Sequence, residues 1–380
     1  LEIRKILDSL KEKGLFRRIK DIDKIQGKYI HSMGKKFLDF SSSNYLGYRD
    51  SEWMKVVATE AVEEYGMGSG ASRLVVGTAD IYRELEEYIA KEKQKEKALL
   101  FNSGYDANIG IISTLYGKGD VIYCDKLNHA SIYDGIKMSD ANMVRYKHSD
   151  IEDLERKIIK TRKDHKQALI VVDSVFSMDG DKARLAELVE LKERYSIDLM
   201  VDEAHGGGIL GERGMGLCEE EGVLDKVDLN MGTFSKAYGS QGAYVATSTD
   251  RIEYLINNCR SLIYTTSLPP AVVACSMEAM KRAHEDKDAR GYLAALSDYL
   301  RMQLREMGVS TLGSETNIIP IVVGDNEKTV EISDKLLKAG IMIPAIRKPT
   351  VNTPRLRLSL SANHTKEDVD NLIESLKPLI

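Results

Sequence analysis

The chain has 380 residues, with 54 basic and 59 acidic side chains and a net charge of −5. That length suffices for a large core and two domains, while the mildly acidic balance offers no basic field for nucleic acid or a membrane surface. No apolar run reaches the ~18–20 residues of a membrane span, and Cys124, Cys218, Cys259 and Cys275 are too dispersed for a CxxC zinc site or a disulfide framework. The expectation is a cytoplasmic globular enzyme.

In chain order, Leu1 to Leu10 mix charges in a way that does not read as a signal peptide, and Leu1 suggests a trimmed start. Ile3, Ile6, Leu7 and Leu10 predict an amphipathic helix that Gly14 helps to end. A second helical face (Ile81, Leu85, Tyr88, Ile89) runs into Lys91-Glu-Lys-Gln-Lys-Glu-Lys97, read as a solvated helix end. Short apolar runs then predict strands at Ala98–Asn102, Val121–Cys124, Ala168–Asp173, Leu199–Asp202, Leu229–Gly232, Ala243–Thr247 and Leu262–Thr265. Helical patterns such as Ala183–Tyr195 lie between them, so an α/β layer fold with a mostly parallel sheet is predicted. After Pro270 the pattern becomes long helix, strand Ile318–Val323, helix, strand Arg355–Ser361, and a helix opening at Thr365. The expected organisation is an N-terminal segment, 1–44, packing with a small α+β domain, 271–380, beside a large domain, 45–270.

Four segments carry chemistry. Leu199-Met-Val-Asp202-Glu-Ala-His205 delivers a carboxylate and an imidazole at the end of a buried-type strand. Gly232-Thr-Phe-Ser-Lys236-Ala-Tyr-Gly239 places one lysine among small and hydroxyl residues, where burial lowers an amine pKa and suits a Schiff-base nucleophile. Asn102-Ser-Gly-Tyr-Asp-Ala-Asn108 is a strand, a glycine turn and a helix start whose amides suit a phosphate. Asp125-Lys-Leu-Asn-His129-Ala-Ser131 sets an imidazole just past another strand. A phosphate cradle, a planar imidazole, a strand-end carboxylate and an amine are the parts pyridoxal phosphate requires. The competing motif, Gly206-Gly-Gly-Ile-Leu-Gly211, matches GxGxxG but precedes poor helix material, so a nicotinamide oxidoreductase is the remote alternative.

Ser43-Asn-Tyr-Leu-Gly47, Asn128-His-Ala-Ser131, Val175-Phe-Ser-Met-Asp-Gly180, Asp202-Glu-Ala-His205, Thr233-Phe-Ser-Lys236 and Ile263-Tyr-Thr-Thr-Ser267 together resemble the α-oxoamine synthases. These are fold-type-I pyridoxal-phosphate enzymes that condense an amino acid with an acyl thioester, and the likeness spans about residues 15 to 375. The resemblance implies a homodimer with a shared active site and a large domain built on a seven-stranded, mostly parallel sheet. It makes Lys236 the cofactor lysine, Asp202 the partner of the pyridine nitrogen and His129 the imidazole on the ring face. His205 and Ser177 are expected at the ring oxygen, and Gly104, Tyr105 and Thr233 at the phosphate. Thr265 and Thr266 are expected to reach the phosphate of the other subunit. Arg357, favoured over Arg355, is the expected clamp for the amino-acid carboxylate, and Asn44 lines the substrate side. Ala345-Ile-Arg-Lys-Pro-Thr-Val351 resembles the members that join L-alanine to a pimeloyl thioester on coenzyme A or a carrier protein, with Arg17 reaching the distal carboxylate. The alternative is the glycine–acetyl branch of the family. Two departures, Gly207 where Thr is common and Ser174 where Gly is common, are expected to alter the acyl or cofactor pocket.

Overall fold

The computed structural model describes residues 2–13 and 15–380; Gly14, expected to end the first helix, lies outside them. That helix spans Ile3–Glu12, and a meander follows: β1 Lys24–Gln26, β2 Tyr29–Ser32 and β3 Lys35–Asp39. The central strands are β4 Lys97–Phe101, β5 Val121–Asp125, β6 Asn142–Tyr146, β7 Ala168–Asp173, β8 Asp198–Asp202, β9 Leu229–Thr233 and β10 Ala243–Thr247. The C-terminal strands are β11 Ile318–Val322, β12 Ile341–Met342, β13 Ala345–Ile346 and β14 Arg355–Ser359.

The seven central strands form one sheet in the order β4-β10-β9-β8-β7-β5-β6, in which only β10 runs against its neighbours. Strand side chains alternate faces, and the core follows that alternation. Val121, Tyr123, Ile170, Val172, Leu199 and Val201 pack on one side, while Ile122, Cys124, Leu169, Val171 and Met200 pack on the other. Helices cover both faces, which is why these strands read as continuous apolar runs rather than alternating ones. Each fully buried Val, Leu or Ile contributes about 1.5–3 kcal/mol.

Six of the seven predicted central strands form, but Leu262–Thr265 does not. Arg260–Ile263 is a short helix, and Tyr264 N donates to Arg260 O at 3.1 Å. Side chains take the place of a strand ladder here. Ser261 Oγ donates to Asp106 O at 2.9 Å, and Asn102 Nδ2 donates to Thr265 Oγ1 at 3.1 Å and Thr266 O at 2.6 Å. The seventh strand is the edge strand β6, whose partly exposed residues carry no apolar run. The charged run 91–97 also differs from its solvated reading. Lys93 is fully buried and donates to Met215 O, and buried Glu92 pairs with Arg213 at 2.8 Å.

The N-terminal meander joins the C-terminal part, because β3 pairs in parallel with β12. A second small sheet runs β11-β14-β13. The long helix expected after Pro270 is two, Pro270–Glu285 and Lys287–Glu306, parted at Asp286, whose carboxylate caps the second by accepting from Ala289 N at 3.0 Å. Helix Pro270–Glu285 packs on helix Glu52–Tyr65, with Cys275 Sγ donating to Met54 O at 3.6 Å. Thr365 and Asp368 cap the last helix reciprocally, as their spacing predicts. No helix among the described residues is long and apolar enough to cross a membrane.

Candidate active site

Strand parity assembles the site. Asp173, Asp202 and Thr233 share the face of Val171, Met200 and Met231, and Asp173 stands opposite Asp202 in the β7–β8 register. Helices Gly104–Leu115 and Ala130–Ser139 cover that face. Their first turns therefore meet the strand ends, where ligands of parallel sheets bind. The result is a cavity of about 170 Å³ walled by Lys236, Asp202, His129, His205, Ser177, Gly104, Tyr105 and Thr233. Every residue expected at the cofactor from this chain is there. Asn108, Ser131, Asp173 and Ser235, with Ala204 and Met231, complete the lining, none of them assigned a role from the sequence.

Asp202 is buried and held from two sides. Its Oδ2 accepts from Asn108 Nδ2 at 2.8 Å and its Oδ1 from Ala204 N at 2.8 Å. Asn108 also donates to Ser131 Oγ at 2.9 Å, which stands 2.7 Å from His129 Nδ1, and Ser131 N donates to that Nδ1 at 3.3 Å. His129 Nδ1 is thus an acceptor, which leaves Nε2–H as the donor of a neutral imidazole. Burial lowers the His129 pKa, with Lys236 adding to the effect and Asp202 opposing it. Asp173 Oδ2 accepts from His129 N at 2.7 Å. Burial and neighbouring Asp202 hold the Asp173 carboxyl well above its ordinary range.

Lys236 follows β9 in a tight turn closed by Gly239 N donating to Lys236 O at 3.0 Å. Gly239 has φ +65°, and a Cβ there would sit 2.5 Å from Arg49 N, so the turn requires glycine. The Lys236 amine makes no hydrogen bond among the described residues, and burial lowers its pKa against the opposing fields of Asp202 and Asp173. His205 pairs with Tyr45 OH at 2.7 Å through Nδ1, and burial drives its pKa well down.

The donor set fits pyridoxal phosphate. Ser103 Oγ caps helix Gly104–Leu115 through Asp106 N at 3.1 Å, leaving earlier amides at the cavity. A Cβ on Gly104 would lie 2.7 Å from Thr233 Cγ2, so glycine keeps this cradle open. The Thr233 and Ser235 hydroxyls stand 3.2 Å apart beside it. Tyr105 is exposed, and its hydroxyl donates to Asp134 at 2.5 Å.

The remaining expected residues lie outside this wall. Arg355 is already paired with Asp179. Arg357 is buried, donates to Ser177 O at 2.6 Å and Ser359 Oγ at 2.9 Å, and has no carboxylate partner among the described residues. Asn44 is buried, with Oδ1 accepting from Arg49 N at 3.2 Å. Arg17 lies apart, in a groove of about 730 Å³ with Phe16 and Ala345 to Thr350, its Nη2 3.4 Å from Thr350 Oγ1. Thr265 and Thr266 bind Asn102 of their own chain. Gly207 and Ser174 do not line the cavity; Gly207 faces Glu203 O and Tyr238. Gly206–Gly211 forms turns and opens no helix of dinucleotide-binding kind.

The aminotransferase class I and II family matches residues 35–376. An 8-amino-7-oxononanoate synthase from Geotalea daltonii is 47% identical over 374 residues, covering 97% of this chain and 95% of that protein. Serine palmitoyltransferase from S. paucimobilis, solved with a bound PLP–myriocin aldimine, superposes with a TM-score of 0.94 at 29% identity, covering 100% of this chain and 96% of that one. The 8-amino-7-oxononanoate synthase of Francisella tularensis superposes at 0.79 with 30% identity, over 90% of this chain and 97% of that one.

Proposed function

This chain belongs to the aminotransferase class I and II family, and we propose that it condenses L-alanine with a pimeloyl thioester. The products are 8-amino-7-oxononanoate, CO2 and a free thiol, a step of biotin synthesis. The observation that carries this reading is the pKa-lowered Lys236 amine, without a hydrogen-bond partner among the described residues, sharing one cavity with Asp202 and neutral His129. The identity of close to half the residues with 8-amino-7-oxononanoate synthases supports the choice of substrates.

Pyridoxal phosphate, when bound, supplies an aldehyde that captures amines and a protonated ring that stabilises a carbanion. Lys236 would hold it covalently, and the amides before Asp106, with Thr233 and Ser235, would receive its phosphate. Asp202, oriented by Asn108 and Ala204 N, keeps the ring nitrogen protonated. Ser177 and His205 serve the ring oxygen, and Arg357 grips the alanine carboxylate in the bidentate manner of guanidinium. The amine of Lys236, freed when the alanine amine takes its place and lowered in pKa by burial, would take the alanine Cα proton. His129 Nε2–H donates to the thioester carbonyl as it is attacked. Asn44 lies beside Tyr45 on the substrate side, and Arg17 meets the distal carboxylate of the acyl chain.

The functional unit is read as a homodimer. Met67, Leu74, Val75 and Val76 are exposed, as are Tyr264 and Thr266. Backbone bonds join the two segments, since Ser267 N donates to Ala71 O at 3.0 Å. One apolar face thus carries both threonines expected at a neighbouring subunit's phosphate. The four cysteines are free and buried.

The test is thiol release by the cofactor-loaded protein with L-alanine or glycine crossed against pimeloyl- or acetyl-coenzyme A, and L-serine with palmitoyl-coenzyme A added. Release chiefly from alanine and pimeloyl-coenzyme A is expected. Release chiefly from glycine and acetyl-coenzyme A, or from serine and the long chain, overturns the substrate assignment.

A further inference from the structure

His148 lies just past β6, on the opposite side of the sheet from the cavity. Asp125, the last residue of β5, alternates away from Cys124 and faces that same side. His148 Nδ1 is 3.1 Å from Asp125 Oδ1, and Nε2 is 2.8 Å from Asp181 Oδ2. The ring stands edge-on to Phe176, with centroids 4.4 Å apart. Asp181 closes a tight loop: Phe176 N donates to Asp181 O at 3.1 Å, Gly180 N to Phe176 O at 2.8 Å, and Val175 bridges Lys182. At the tip of that loop, Ser177 O accepts from Arg357 Nε, while Asp179 holds Arg355. One imidazole therefore fastens the base of a loop whose tip fixes both arginines of β14.

We propose that His148 is a positioning residue for the amino-acid substrate: by bridging Asp125 and Asp181 it fixes the Val175–Asp181 loop and so the Ser177 carbonyl that aims Arg357 at the substrate carboxylate. The inference rests on the role given to Arg357 above. His148 itself touches no substrate and acts through Ser177 and Arg357.

Asp125 also accepts from Leu127 N at 2.8 Å and Ser149 N at 2.9 Å, but each ring nitrogen of His148 faces a carboxylate oxygen, and both of those contacts are hydrogen bonds only if both nitrogens donate, which requires the imidazolium. Burial opposes that charge, but hydrogen bonds and attraction from Asp125 and Asp181 outweigh it and raise the pKa to about 9. A raised folded-state pKa means the tie is complete at neutral pH and is lost as pH climbs through about 9. The charged groups facing the ring are Asp125 from β5, and Asp181 and Asp179 from the loop, the last paired with Arg355 of β14. His148, Asp179 and Asp181 also bring ligand-type atoms within 4.8 Å of one another. With Asp179 held by Arg355 and both His148 nitrogens engaged, the cluster is an ion-pair network rather than a cation site.

The experiment compares wild type with His148→Gln in two measurements. The first is hydrogen exchange by mass spectrometry on the cofactor-free chain, where His148→Gln is expected to speed exchange in residues 175–181 by about ten-fold and leave the central strands unchanged. The second is steady-state kinetics, where the alanine KM is expected to rise about ten-fold while the pimeloyl-coenzyme A KM stays within about two-fold. The ratio of the two alanine KM values should shrink towards one between about pH 8 and about pH 10, as wild type loses the same tie. Unchanged exchange overturns the proposal. So does faster exchange with no selective change in alanine KM, or a KM ratio that is flat with pH, since either describes a purely structural bridge. If wild type itself releases no thiol with alanine, the functional reading has failed, and the exchange measurement alone decides the tie.

Discussion

Two lysines of this chain are withdrawn from water, and their surroundings differ. Lys93, at the end of helix Asp80–Glu92, is fully buried, donates to Met215 O, and lies 5.8 Å from the centroid of the Tyr244 ring. Lys236, past the end of β9, has carboxylates near enough to feel but no acceptor for its amine protons among the described residues. A buried amine whose protons are spent on a carbonyl is a structural strut. One left without an acceptor, in a cavity with hydroxyls and an imidazole, is available for covalent chemistry. Lys93 is fully buried and Lys236 half-buried, and hydrogen-bond satisfaction separates them further.

The sharpest way to break that comparison is to delete each amine. Lys236→Ala is expected to lower thiol release by about 10⁴-fold or more, because covalent attachment and the base are lost together. Activity within ten-fold of wild type would sink the assignment. Asp202→Asn keeps the shape but removes the charge held by Asn108 and Ala204, and a loss of about 10²–10⁴-fold in kcat is expected. A near-normal rate would place the ring-nitrogen partner elsewhere. Arg357→Lys retains charge without the bidentate fork and should raise the alanine KM by about 10–100-fold with less effect on the acyl donor. If Arg355→Lys does this and Arg357→Lys does not, the two arginines exchange roles.

Lys93→Met sharpens the same contrast from the structural side. Leaving Met215 O without its donor should cost about 1–3 kcal/mol of stability, read as a lower Tm, with kcat held within about two-fold. A large loss of kcat in the folded variant would give Lys93 a part in the chemistry. The smallest effect is one of pH. With its pKa lowered from the usual 10.5, the cofactor-free Lys236 amine should be neutral, and so reactive, at lower pH than an ordinary lysine. Borohydride trapping of added pyridoxal phosphate, mapped by peptide mass across pH, should label Lys236 with a midpoint below 10.5 and leave Lys93 unlabelled. Preferential labelling of Lys93 would reverse the comparison.

The strands that deliver the site were legible because they are buried on both faces and so announce themselves as apolar runs. Ala168–Asp173 and Ala243–Thr247 match at both ends. The edge strand β6 was not, since one side of it meets solvent and its sequence carries no run. Leu262–Thr265 has strand-like composition, yet Ser261 and Asn102 satisfy the surrounding polar groups and let a helical turn form. Within the cavity, the residues that touch the cofactor region lie in recognisable motifs. Their supports do not, because Asn108 and Ser131 matter only through partners many positions away. Asp173 did have a signal, a carboxylate closing a buried strand just as Asp202 does.

What the sequence determined by itself was the layered α/β class, the cofactor, and the residue types at each strand end, since periodicity and short-range chemistry are local properties. Only the tertiary structure decided which charges are already spent. Arg355 and Arg357 are two positions apart on β14, both buried, and chemically identical. Asp179 lies more than 170 positions earlier in the chain and reaches Arg355, leaving its neighbour free of any carboxylate among the described residues. Lys93 and Lys236 are separated in the same way, by Met215 O. Long-range pairing of charges and donors is set by the packing of distant segments, and no local pattern records it.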